Sequence, residues 1–69
     1  MNVGDLVMFS NHTSRYAKWF FGKLAVVQGV GCGIDDKLHC RVKWLQPVKY
    51  FDTFATISDF TADNFEVSS

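Results

Sequence analysis

The feature that most constrains the fold of this chain lies in residues 38–45, where seven consecutive side chains alternate between apolar and basic. The apolar side chains on one side of an extended strand are Leu38, Cys40, Val42 and Trp44. The basic side chains on the other side are His39, Arg41 and Lys43. A period of two residues indicates a strand with one buried face. We therefore predict the central strand of a small β-barrel, with Trp44 as its largest core residue.

Length and composition predict one small domain over residues 1–69 with a well-filled core. The chain is 48% hydrophobic and contains seven Phe, two Trp and two Tyr residues. A domain of this size buries only about 60% of its unfolded surface, so bulky aromatic side chains are an effective way to fill its core. No apolar run reaches the roughly 20 residues of a membrane span, and the N-terminus does not resemble a signal peptide. We therefore expect a cytoplasmic protein without a membrane partner.

The charges of the chain balance in number but not in position. Seven Lys and Arg residues match seven Asp and Glu residues, and this zero net charge counts against a general nucleic-acid binder, which must neutralise several phosphates. All seven basic residues lie between Arg15 and Lys49, whereas residues 50–69 carry only acidic charges. A local basic face is therefore compatible with the sequence.

Four other strands are predicted around the alternating segment, at residues 3–9, 23–30, 50–57 and 65–67. Gly29 indicates a bulge in the second strand, and residues 31–36 a hairpin loop before the third. Pro47 is expected to end the third strand, residues 58–60 to form a single 3₁₀ turn, and Phe65 and Val67 to point inward. The fold class predicted is all-β: a five-stranded, partly open barrel.

Segment 10–21 joins the first two predicted strands and is the candidate cover for the open side of the barrel. Tyr16, Trp19 and Phe20 recur at helical spacing, so one or two helical turns over about 14–20 fit the pattern. A long ordered loop fits it equally, and the sequence leaves both open.

Motifs in four of the strands resemble those of SH3-like barrels of the KOW type. They are Gly-Asp-Leu-Val at residues 4–7, Gly-x-x-x-Val-Val at 22–27, Val-x-Trp at 42–44 and Phe-Glu-Val at 65–67. The pattern is similar, more specifically, to small proteins of unassigned function that tailed bacteriophages encode. This resemblance implies an SH3-like barrel that acts in the infected host cell or in the virion. Segment 10–21 is longer than the family's usual loop, and we expect any function specific to this chain to reside there.

Catalytic and metal-binding chemistry finds little support in the sequence. His39 and Cys40 are adjacent on a strand and point to opposite faces, so they cannot easily share one metal ion. Cys32 lies near Asp35 and Asp36, whose negative charges disfavour the thiolate that a nucleophile needs. We therefore expect no enzyme activity, no metal, no cofactor and no small-molecule substrate. We also expect no disulfide between the two cysteines.

Aromatic side chains exceed what so small a core can easily hide, which points to a binding surface. The candidate protein-binding residues are Tyr16, Trp19, Phe20 and Tyr50, with Arg15 and Lys18 at the rim. The simpler alternative is that these aromatics only cover the open side of the barrel. Our leading hypothesis is a non-catalytic interaction module that binds a protein partner, associates with itself or packs in an assembly.

A second hypothesis is single-stranded nucleic-acid binding. It uses the basic row of the third strand, formed by His39, Arg41 and Lys43, with Tyr16 or Trp19 as a stacking surface. The same row fits better a solvated strand face whose charges prevent aggregation, since the net charge of the chain is zero.

Overall fold

The computed structural model describes residues 1–68, which form five strands, a one-turn helix and a 3₁₀ turn. The elements are β1 (Leu6–Phe9), α1 (Ala17–Phe20), β2 (Leu24–Cys32), β3 (Leu38–Tyr50), β4 (Thr53–Thr61), a 3₁₀ turn (Ala62–Asn64) and β5 (Phe65–Val67). All strand pairs are antiparallel, in the order β4-β3-β2-β1-β5. The all-β, five-stranded prediction is confirmed. Since β4 and β5 are the two edges of one sheet, the sheet is not a closed barrel.

Strand β3 shows the alternation read from the sequence. Cys40, Val42 and Trp44 are each at most 3% exposed, whereas Arg41 and Lys43 face outward. Leu38 departs from the pattern and is 44% exposed, because it is the first residue of the strand and lies next to the hairpin loop. β3 is flanked on both sides, although the middle position of the sheet belongs to β2.

The prediction that Pro47 ends the third strand is wrong. β3 continues to Tyr50, and its register against β4 shifts between Lys43 and Val48. Pro47 lies in that irregular stretch, where its missing N–H group does not interrupt a regular ladder. The longer β3 moves β4 along the chain, so residues 58–60 are strand and the 3₁₀ turn begins at Ala62.

The β2–β3 hairpin forms as predicted, but its loop is shifted from the predicted residues 31–36. The register between the two strands shifts between Val27 and Gly29, which confirms the bulge. β2 runs to Cys32, so the loop is residues 33–37. Cys40 pairs with Val30 rather than with Cys32, and both cysteines are free thiols.

Segment 10–21 contains a short helix and covers the core. The side-chain amide of Asn11 donates a 2.9 Å hydrogen bond to the side chain of Asn64, which fastens the segment to the 3₁₀ turn. At the end of α1, the Phe20 ring stacks on Trp44 with a centroid distance of 4.9 Å and an interplanar angle of 17°. The helical alternative for this segment is therefore the one observed, and its last residue is a core residue.

The core is built from α1 and four of the strands, β1, β2, β3 and β5, whereas β4 contributes only partly buried side chains. Its buried members are Val7, Phe9, Phe20, Ala25, Val27, Cys40, Val42, Trp44, Val48 and Phe65. Phe65 points inward as predicted, but Val67 is half-exposed, so the inward orientation predicted for it is wrong.

Candidate interaction surface

Four aromatic side chains meet at the surface where α1 approaches the β3–β4 hairpin. We call this cluster, formed by Tyr16, Trp19, Tyr50 and Phe51, the aromatic platform. The Trp19 ring centroid lies 4.7 Å from those of both Tyr50 and Phe51, and the Tyr50 and Phe51 centroids are 4.6 Å apart. Tyr16, Trp19 and Tyr50 rest partly buried on the core, whereas Phe51 is 62% exposed.

Phe51 occupies a position that a phenylalanine rarely adopts. β3 and β4 are joined by the two-residue turn Phe51–Asp52, and the φ angle of Phe51 is 55°. Tight hairpin turns demand a positive φ at their first central residue, which is why glycine and asparagine dominate there. A bulky side chain in the left-handed region costs roughly 1–2 kcal/mol. This turn therefore presents a strained, exposed phenyl ring directly beside Trp19.

Cationic side chains lie over two rings of the platform. The guanidinium carbon of Arg15 is 5.2 Å from the centroid of the Tyr16 ring. The Nζ atom of Lys18 is 4.4 Å from the centroid of a Trp19 ring. Both are distances at which a cation is attracted by the aromatic quadrupole.

Two shallow hollows share the side chains of Lys18, Trp19 and Phe51. The first, of about 310 Å³, is completed by Arg15, Tyr16 and Tyr50. The second, of about 270 Å³, is completed by Lys23, Val48 and Lys49. The charged residues that line the two hollows are Arg15, Lys18, Lys23 and Lys49, all of them basic. The surface thus combines exposed aromatic rings with a positively charged rim.

The structure brings five of the six candidate protein-binding residues together here. Arg15, Tyr16, Lys18, Trp19 and Tyr50 all line the first hollow. The prediction that Phe20 is a protein-binding residue is corrected, because its side chain is 3% exposed and stacks inward on Trp44. Being buried, it cannot contact a partner.

Phe51 was missed as a site residue by sequence reasoning. The strand predicted over residues 50–57 contains Phe51 as one of several roughly alternating side chains. The short segment between Pro47 and residue 53 contains neither the glycine nor the asparagine that normally marks a tight turn. The only local indication of a turn is Asp52, a residue type common in turns, directly after Phe51.

Two of the three residues in the basic row of β3 face carboxylates. The Nε atom of Arg41 donates a 2.9 Å hydrogen bond to Asp59 Oδ1, and this contact lowers the pKa of Asp59 and raises that of Arg41. His39 Nε2 lies 3.1 Å from Asp35 Oδ1, and the hydrogen bond lowers the pKa of Asp35. Among the described ion pairs, none involves Lys43. The row therefore has much less net positive charge than its sequence suggests.

Other chemistry has little material in the described part of the chain. Residues 1–68 contain no group of three or more His, Cys, Asp or Glu side chains able to hold a metal ion. Burial, followed by the nearby charge of Asp59, raises the pKa of the Cys40 thiol, which disfavours the reactive thiolate. None of the helices within these residues is long and apolar enough to cross a membrane.

Comparison with known proteins supplies no relative for this chain. No protein-family model matches the sequence, and no curated protein and no solved structure is found to be similar. The geometry of the aromatic platform is therefore the basis for the functional proposal.

Proposed function

We propose that this protein is a non-catalytic interaction module that binds a protein partner through the aromatic platform, with Arg15 and Lys18 at the rim. The single observation that carries the proposal is the left-handed, 62% exposed Phe51 packed beside Trp19. Glycine would adopt this turn with less strain, and the phenyl ring adds little to the core, so folding alone does not account for it. Exposed aromatics beside an arginine are typical of the centres of protein interfaces.

A wider proposal concerns the origin of the chain. We propose that it is a phage-encoded protein of the SH3-like, KOW type that acts in the infected cell or in the virion. The support is the set of strand motifs at residues 4–7, 22–27, 42–44 and 65–67, together with five antiparallel strands in one sheet.

The alternative site, the basic row of β3, is less favoured as a surface for single-stranded nucleic acid. Phosphate binding depends on cations that exchange bound counterions for phosphates. Arg41 and His39 already face Asp59 and Asp35, so a nucleic acid would have to compete with those carboxylates.

The proposal is tested by capturing partners from a lysate of the source cells on the immobilised protein and on three variants. Phe51→Gly and Trp19→Ala should each weaken partner binding by about thirtyfold, the effect of removing an interface anchor worth about 2 kcal/mol. The control is Phe21→Ala, since Phe21 is also an exposed phenylalanine but lines neither hollow. Capture by Phe21→Ala should match that of the unmodified protein.

Folding of the variants is checked by thermal melts, with Phe51→Ala added to the set. At φ 55° glycine avoids a strain that alanine retains, so Phe51→Gly should be more stable than Phe51→Ala by about 1 kcal/mol. In an ordinary strand or helix the order is reversed. Unchanged capture by Phe51→Gly would contradict the proposed site, and a large loss of melting temperature in Trp19→Ala would place Trp19 in the core instead.

A further inference from the structure

We infer that the partner segment bound by the aromatic platform is acidic: an extended polypeptide stretch in which carboxylates flank an apolar side chain. This inference rests on the proposed function and specifies the chemistry of its partner. It follows from the charge of the rim, the shape of the hollows and the way the ring faces are covered.

The rim of the platform has an uncompensated positive charge. Its four basic residues are Arg15, Lys18, Lys23 and Lys49. The ion pairs found within residues 1–68, His39–Asp35 and Arg41–Asp59, involve none of these four. Asp52 follows Phe51 in the turn but lines neither hollow. A partner with negative charge would relieve the repulsion among these cations, and its approach would be steered by them.

The shape of the platform favours side chains over flat groups. The Trp19 ring is inclined at 73° to Tyr50 and at 52° to Phe51, and Tyr50 is inclined at 66° to Phe51. Rings at such steep angles form the walls of small hollows rather than one flat surface. A leucine- or phenylalanine-sized side chain could enter a hollow while the neighbouring residues of an extended segment, about 3.3 Å apart along the chain, reach the basic rim.

The cations that lie over the rings disfavour a single-stranded nucleic acid, which is the other anionic polymer that binds to aromatic and basic residues together. Bases bind by stacking on open ring faces along a continuous positive groove. The ammonium group of Lys18 already covers a face of Trp19, and the guanidinium group of Arg15 lies over Tyr16. The basic row of β3 cannot readily extend the groove, because Arg41 is paired with Asp59.

The inference is tested by selecting displayed random peptides on the full chain, after removal of peptides that bind the Phe51→Gly variant. Enriched peptides should contain an excess of Asp and Glu around a Leu, Phe or similar residue. Synthetic copies in which Asn and Gln replace the acidic residues should bind about tenfold more weakly, the loss expected for one or two charge-assisted contacts.

Variants of the chain identify the cations responsible. The double variant Lys18→Gln, Lys49→Gln should weaken binding of the acidic peptides by about tenfold or more. Lys37→Gln is the matched control, because Lys37 is an exposed lysine in the β2–β3 loop that lines neither hollow. An equal effect of the control and the double variant would overturn the assignment of the acidic residues to this rim.

The remaining outcomes separate this inference from the proposed function. Enrichment of neutral or basic peptides that fail to bind Phe51→Gly would overturn the acidic chemistry and leave the interaction module intact. If no peptide binds the unmodified chain better than it binds Phe51→Gly, both the acidic chemistry and the proposed interaction module are overturned. A parallel titration with oligo(dT) and oligo(U) follows the fluorescence of the more accessible Trp19. Salt-sensitive quenching that is lost in Phe51→Gly would replace the polypeptide by a nucleic acid.

Discussion

Replacement of Trp44 by alanine tests the packing on which the whole structure depends. The Trp44 side chain is 3% exposed, its ring stacks on Phe20, and its Nε1 atom donates a 2.9 Å hydrogen bond to Ser58 Oγ. Deletion of a buried tryptophan costs about 3–5 kcal/mol. A chain of this length is expected to have a total free energy of unfolding of about 3–10 kcal/mol. Trp44→Ala should therefore lose much or all of the stability of the native state.

The assay is urea denaturation followed by far-UV circular dichroism, which does not depend on tryptophan fluorescence. Trp44→Phe is the companion variant, since it retains a ring for Phe20 but loses the hydrogen bond to Ser58. Its free energy of unfolding should lie between those of the unmodified protein and Trp44→Ala. About 1 kcal/mol of its loss should come from the missing hydrogen bond. A Trp44→Ala variant that unfolds cooperatively within about 1 kcal/mol of the unmodified protein would refute the assignment of Trp44 to the core.

Two further predictions concern titratable groups. Because Arg41 lowers the pKa of Asp59, the ionised carboxylate stabilises the folded state above its ordinary pKa of 3.8, and this contribution is lost as the pH falls through the lowered value. Asp59→Asn should therefore lower the free energy of unfolding by no more than about 1 kcal/mol at neutral pH, as expected for an exposed ion pair. The loss should be smaller at about pH 2. Thermal melts at both pH values measure this, and an equal cost at each would contradict it. A maleimide should modify only Cys32 in the native protein and both cysteines after denaturation, because Cys40 is 1% exposed and burial raises its thiol pKa. Mass spectrometry counts the adducts, and two in the native protein would show that Cys40 is accessible.

The sequence by itself determined those features that depend on neighbouring residues. Alternation over residues 40–44 is a local pattern, and a strand with this pattern can bury its apolar side chains only by facing the core. Gly29 marked the β2 bulge for a similarly local reason. The set of aromatic and basic residues in segment 10–21 was also visible as a candidate surface.

Tertiary structure decided which aromatic side chains are core and which are surface. The sequence does not distinguish the roles of Phe20 and Phe51, but Phe20 stacks on Trp44 in the core and Phe51 is exposed in a tight turn. That turn exists because β3 continues past Pro47, which depends on the irregular pairing between β3 and β4.

Tertiary structure likewise decided where the positive charge is available. The register of β3 and β4 places Arg41 opposite Asp59, so a row that is basic in sequence is partly neutralised in space. The four basic residues of the platform rim come from separate elements that the fold brings together around Trp19 and Phe51. Both outcomes depend on contacts between residues distant in sequence, because strand register and packing, rather than local pattern, determine which side chains become neighbours.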